Sequence, residues 1–165
     1  MKKALVLMLF CLNSQAADHR IFRNASTVPF LLTTQYGAGQ QMGRTFHIPN
    51  IADGGAYVSV RGLKIVDDAK QAPNMDILLF KDEPVLTSVD GGALDITDGE
   101  MGVKFLGLLK VVPSDYRVAA NSSVAYITYA DERVFKLKNN STGMWGVLRS
   151  NGSPTFTSND GLKLE

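Results

Sequence analysis

Short apolar runs separated by turn residues dominate the chain from about residue 20 onwards. This spacing is typical of the strands in a sandwich or barrel, and no long amphipathic helix interrupts it. The pattern gives nine candidate strands, which cover residues 30–35, 45–48, 56–66, 75–81, 103–112, 124–130, 134–138, 144–150 and 161–165. Gly, Asn and Pro cluster between these runs, where their backbone preferences favour chain reversals. The pattern therefore predicts an all-β protein.

Four segments carry more detail than the others. Both alternating sides of 56–66 hold apolar residues, which predicts a strand buried between layers, and the run 76–80 has the composition of a central strand. Residues 134–138 alternate an apolar side with a Lys side, which predicts a strand that is open to water on one side and suits an edge. Residues 97–106 invite a short helix because Thr97-Asp-Gly-Glu resembles a capping box, although two glycines weaken that prediction.

Length and composition favour one folded domain. A chain of 165 residues with 45% hydrophobic residues is large enough to close a core between two layers. We find neither an internal repeat nor a linker that would divide it, so residues 20–165 are assigned to a single domain. The fold class that we predict is a β-sandwich, with the jelly roll preferred because about eight strands and long crossing loops suit it.

The N-terminal segment, residues 1–19, has two interpretations. Lys2 and Lys3 precede the apolar run 4–12 and the small-x-small sequence Ser14-Gln-Ala16, which is the layout of a secretory signal peptide. Cleavage would leave Ala17 or Asp18 first. Alternatively, the run is kept as an extended apolar arm of an assembly. It has about half of the roughly 20 residues that span a bilayer, so no membrane span is expected.

Charge and reactive residues argue against several functions. Lys and Arg (17) nearly balance Asp and Glu (16), so no basic field for direct nucleic-acid binding is expected. The single Cys11 lies in the apolar run, which excludes an internal disulfide and disfavours a reactive thiol. His19 and His47 each stand alone, without the partners of a general base or the spacing of a zinc site. We therefore assign no catalytic, metal or cofactor-binding residue, and predict that the protein is not an enzyme.

Two groups of carboxylates are candidate binding sites. The stretch from Asp90 to Glu100 holds four carboxylates that could supply oxygen ligands to calcium, but it lacks the spacing of a calcium loop, so a solvated loop is favoured. The pairs Asp67-Asp68 and Asp82-Glu83 follow strands and resemble loop starts rather than the two carboxylates of a glycosidase.

A basic aromatic surface is another candidate. Its members would be Lys136, Lys138, Arg149, Phe135 and Trp145, but three charges make a weak phosphate track, and a solvated sheet face with one buried Trp is the favoured interpretation. Glycosylation-type sequences begin at Asn24, Asn121, Asn139 and Asn140, although Asn and Ser are also ordinary turn residues.

Five runs resemble a group of small virion proteins of tailed bacteriophages that decorate or cement the head. They are residues 57–64, 75–84, 90–96, 105–108 and the ending 144–158, where an aromatic-Gly-apolar strand precedes a turn rich in Thr and Ser. The resemblance covers residues 20–165 and implies a β-sandwich that binds the major capsid protein and neighbouring copies in a symmetric lattice at the capsid surface. The first 18 residues depart from the group. They favour the alternative, a secreted or periplasmic β-sandwich that binds carbohydrate or protein.

Overall fold

The strands follow the apolar runs of the sequence closely. The structure is a computed structural model that describes residues 26–27, 31–49, 51, 57–158 and 161–164. Its strands are β1 Ser26–Thr27, β2 Gln41–Ile48, β3 Tyr57–Asp67, β4 Met75–Phe80, β5 Phe105–Val111, β6 Tyr116–Val118, β7 Ser123–Lys136, β8 Met144–Ser150 and β9 Leu162–Leu164. One helix, α1 Asp98–Lys104, precedes β5, and a 3-10 turn Pro113–Asp115 precedes β6.

The strands form two antiparallel sheets whose pairing is that of a jelly roll. The first sheet has the order β1-β9-β3-β7-β6 and the second the order β2-β8-β4-β5. β1 pairs with β9, β2 with β8, β3 with β7 and β4 with β5, and β6 lies outside this nested series. This is one long hairpin wound into two facing sheets, as in jelly rolls. The prediction of an all-β, jelly-roll-like sandwich is confirmed, whereas the N-terminal arm lies outside the described residues.

The main core lies between the sheets. Buried side chains from both sheets fill it, among them Ile65 and Ala125 from the first sheet and Ile77, Leu79 and Leu148 from the second. Burial of this apolar surface is the main source of stability that the fold offers.

Close packing in the core explains one glycine. A Cβ added to Gly146 on β8 would lie 2.1 Å from Cζ of Phe46, a core residue on the neighbouring strand β2. Real Cβ atoms do not approach other atoms so closely. The ring of Phe46 therefore occupies the space that any other side chain at position 146 would need.

A second, smaller core covers the outer side of the second sheet. Leu78, Phe80 and Val147 point away from the main core and are buried under the segment 81–104. The segment contributes four partly buried apolar side chains, Leu86, Leu94, Ile96 and Met101. Because both of its sides are covered, all six residues of β4 are buried, which confirms the predicted central strand.

The predicted short helix lies in this covering segment. In α1, Thr97 is the N-cap residue, and its hydroxyl accepts a hydrogen bond of 3.3 Å from the N–H of Glu100. The cap satisfies one of the donors that a helix N-terminus leaves open. The helix also takes residues 103 and 104, so the strand predicted from residue 103 begins at Phe105 instead.

The prediction that the strand at 56–66 is buried on both sides is wrong. Its strand, β3, has an open outer side on which Tyr57 is exposed. A register shift between Val60 and Gly62, opposite β7, interrupts the alternation. Across this irregularity two steps along β3 lie opposite five along β7, and the inward-facing series of β3 changes. Before the shift, the even-numbered Val58 and Val60 pack against the core. After it, the odd-numbered Leu63 and Ile65 face the core instead.

Other parts of the strand pattern also differ from the prediction. Residues 31–35 of the candidate strand 30–35 are irregular, with the buried Leu31 held by packing. The two strands expected at 124–130 and 134–138 are one long strand, β7, that reaches Lys136. Residues 134–138, at and beyond its end, alternate exposed and buried side chains as predicted. Of the described strands, only β3 pairs with β7 near this end. The short strands β1 and β6 were not predicted, because two or three residues carry no periodicity.

Candidate binding surfaces

The candidate basic aromatic set does not form one surface. Phe135 is a core residue with 8% of its surface exposed, and its neighbours Lys136 and Lys138 point to the other side of that chain segment. Lys138 forms an ion pair of 3.0 Å with Asp82. Arg149 and Trp145, in contrast, belong to β8 in the second sheet. Alternation and sheet membership therefore separate side chains that the sequence places close together.

Arg149 and Trp145 each have a partner on an adjacent strand. Arg149 forms an ion pair with Asp76, which is 2% exposed, and Oδ1 of Asp76 has no hydrogen-bond partner among the described residues. Trp145 stacks on His47, its cross-strand neighbour, with ring centroids 4.7 Å apart. His47 is thus a surface histidine of a sheet, as the favoured sequence interpretation expects. No sequence signal marks the buried Asp76, because it lies within an apolar run.

Three of the four carboxylates of the acidic stretch have separate protein partners. Asp90 accepts hydrogen bonds from the Tyr36 hydroxyl (2.8 Å) and from the N–H of Gly43 (2.7 Å). Burial raises the pKa of Tyr36 above its ordinary value, and the hydrogen bond with Asp90 adds to the rise. Asp95 accepts a hydrogen bond from the hydroxyl of Thr87. The hydrogen bonds of Asp90 attach the covering segment to Tyr36 and Gly43, whereas that of Asp95 lies within the segment.

Glu100 completes this pattern at the start of α1. It forms an ion pair of 2.7 Å with Lys104 and accepts a hydrogen bond of 2.9 Å from the N–H of Val85. The hydrogen bond from Lys104 holds the pKa of Glu100 below its ordinary value, and the hydrogen bond from the N–H of Val85 lowers this pKa further. Within the described part of the chain, no three His, Cys, Asp or Glu side chains lie close enough together to hold a metal ion. The stretch covers the second sheet with Leu94 and Ile96, while Asp95 and Asp98 are exposed to solvent.

The acidic pairs begin loops, as predicted. Asp67, the first residue of one pair, is deeply buried, whereas Asp68 is exposed. Asp67 is fully buried and accepts hydrogen bonds from the N–H groups of Ala69 (3.0 Å) and Ala72 (2.8 Å) and from the hydroxyl of Ser123 (3.0 Å). Ala72 has φ of 46°, in the left-handed region that non-glycine residues rarely adopt. The carboxylate of Asp67 thus holds a strained turn in place.

The outer side of the first sheet carries exposed aromatic and basic residues. We call this side the open face and define it by Tyr57, Lys64, Arg117, Tyr126, Val134, Lys136 and Lys163. Tyr57, Tyr126 and Val134 are 68%, 70% and 53% exposed. Lys136 lies opposite Tyr57, with Nζ 5.7 Å from the ring centroid, which is within the range of a cation–π contact. Lys163 forms an ion pair of 2.9 Å with Asp68.

A groove runs along one side of the sandwich, where β5 of the second sheet approaches the last residues of β7. It has a volume of about 630 Å³, and its lining comprises Lys81, Phe105, Leu106, Asn139 and the run 134–138. At the closest approach of the two strands, a Cβ on Gly107 would lie 2.7 Å from the ring of Phe135. Glycine at this position therefore lets the two sheets meet beside the groove.

Comparisons with known proteins add no relative. No protein-family model, curated protein or solved structure matches the chain. Among the described residues there is no helix long and apolar enough to cross a membrane.

Proposed function

We propose that this chain is a structural virion protein that decorates or cements a bacteriophage capsid. Its partners are the major capsid protein and neighbouring copies of itself, and it contacts no nucleic acid directly. The open face carries this proposal, because the segment 81–104 covers the second sheet at Leu78, Phe80 and Val147 while the first sheet presents exposed tyrosines to solvent. The resemblance to phage head proteins and the use of jelly rolls in viral capsids support the same conclusion.

The chemistry of the open face suits a protein partner. Tyrosine supplies a large contact area with little loss of conformational freedom, and aromatic residues are enriched at the centres of interfaces. Lys64, Arg117 and Lys136 add positive charge around Tyr57 and Tyr126. Such charges favour an acidic partner surface and accelerate association with it.

Particle association tests this function directly. Particles sedimented from the native source should contain the chain with Met1, or with Met1 alone removed, in capsid-sized fractions. A small soluble chain that lacks its first 16 or 17 residues would refute the virion assignment.

A pair of matched variants tests the role of the open face. Tyr126→Ser with Val134→Ser should weaken attachment to particles by roughly 30-fold or more, as expected for loss of about 2 kcal/mol at an interface centre. Val103→Ser with Val89→Ser is the control, because these valines are 64% and 74% exposed but belong to the covering segment. Equal attachment of both variants would refute the role of the open face.

The second candidate is an exported β-sandwich that binds carbohydrate or protein in the periplasm or outside the cell. The observation that favours it is the basic, apolar and small-residue order of residues 1–16. In this case Tyr57 or Tyr126 would stack on a sugar ring or a partner side chain. A mature N-terminus at Ala17 or Asp18 is the expected result, and an intact N-terminus would contradict it.

A further inference from the structure

An unpaired strand edge borders the groove. On one side of β5 lies β4, and none of the described strands pairs with its other side. Unpaired edges carry free backbone donors and acceptors, which are a template for an additional strand.

The charge of the groove is one-sided. Lys81, Lys136 and Lys138 line it, and no carboxylate is among its lining residues. Asp82 lies nearby and pairs with Lys138, but both partners of this ion pair are partly exposed, so it is weak. The groove therefore favours a negatively charged occupant.

The lining between the lysines is apolar. Phe105 and Leu106, the first residues of β5, are partly buried, and Val134 is 53% exposed. The ring of Phe135 sits over Gly107 and fixes how closely the edges of the two sheets approach each other. An occupant that fits this surface has apolar groups next to its negative charges.

We infer that the groove binds an extended acidic peptide, which adds a strand to the free edge of β5. Side chains alternate along such a strand, so apolar ones on one side would contact either Phe105 or Leu106, which lie on opposite sides of β5, while carboxylates on the other side would reach the lysines. Backbone hydrogen bonds to the edge supply affinity, and the groove supplies specificity. The inference goes beyond the proposed function, because it holds whether or not the chain associates with particles.

The test uses blocked octapeptides in which Glu and Val alternate or Lys and Val alternate. The full chain should bind the Glu-Val peptide saturably in fluorescence anisotropy, and the amides of β5 should become protected in hydrogen exchange. Methylation of alternate backbone nitrogens of the peptide should abolish binding, because it removes the donors that pair with the edge. Saturable binding of the Lys-Val peptide with equal affinity, or no binding of the Glu-Val peptide, would overturn the inference.

Charge-reversal variants locate the site. Lys81→Glu with Lys136→Glu should weaken binding of the Glu-Val peptide at least 10-fold. Arg117→Glu is the matched control, since Arg117 is an exposed basic residue on β6 that does not line the groove. Unchanged affinity of the double variant, or an equal loss in the control, would place binding elsewhere and overturn the inference. Circular dichroism of each variant verifies that it is folded.

Discussion

Replacing Gly146 by Ala tests the packing of the main core. The added Cβ would lie 2.1, 2.5 and 2.6 Å from Cζ, Cε2 and Cε1 of Phe46, all at the far end of its ring. Ordinary carbon contacts begin at about 3.5 Å, so the ring would have to retreat by about 1.4 Å. Phe46 is 3% exposed and enclosed by other core side chains, so this movement must be transmitted to them.

The expected loss of stability follows from this overlap. Overpacking in cores typically costs about 1–3 kcal/mol, and an overlap with three ring atoms belongs at the upper end. The substitution also restricts the unfolded chain, which offsets about 0.5–1 kcal/mol. We therefore expect Gly146→Ala to reduce the free energy of unfolding by about 2 kcal/mol.

A double-mutant cycle with Phe46→Leu identifies the cause. Leucine lacks the three ring atoms that meet the new Cβ. When Phe46→Leu is already present, Gly146→Ala should therefore change stability by less than about 0.5 kcal/mol, so the effects of the two substitutions are far from additive. Urea denaturation monitored by circular dichroism measures all four proteins. Gly102→Ala is the control, because a Cβ there meets nothing within 4 Å and should stabilise α1 by up to about 1 kcal/mol. Additive effects of the two core substitutions would refute the packing argument.

Three further substitutions test other structural features by the same denaturation assay. Asp67→Ala leaves one buried and two partly buried donors without their carboxylate and should lower stability by about 3 kcal/mol, with Asp67→Asn less damaging; a loss under about 1 kcal/mol would contradict the role of this network. Ala72→Gly should raise stability by about 1 kcal/mol because it relieves the positive φ, and a decrease would show that the turn is unstrained. Thr97→Ala should cost about 1 kcal/mol through loss of the helix cap, seen first as faster hydrogen exchange in α1; unchanged exchange would contradict the role of the cap.

The sequence predicts the sandwich well because most strands have clear apolar periodicity. It fails at β3, where alternation alone does not reveal that a register shift between Val60 and Gly62 changes the inward-facing series. It also fails at residues 31–35, whose apolar residues are buried by packing without strand pairing. Local patterns report the preferences of a segment, whereas these two outcomes depend on neighbouring strands.

The candidate surfaces were less predictable than the fold. The pairing of strands brings Tyr57 opposite Lys136, although these residues are far apart along the chain. The groove likewise joins Lys81 and Phe105 to the end of β7, a proximity that requires the complete wound hairpin. The acidic stretch had a visible composition, but only the structure shows that Asp90 is engaged with Tyr36 and Gly43.

The pairing of β1 with β9 also has a consequence for how the chain folds. Ser26 and Leu164 are partners in one sheet, so the first described strand finds its neighbour only when the last has been synthesised. Contacts so distant along the chain have a high loop-closure entropy and slow folding. During translation β1 must stay without this partner until residues 162–164 leave the ribosome, and a chain truncated before Leu162 would leave the first sheet without the strand that joins β1 to β3.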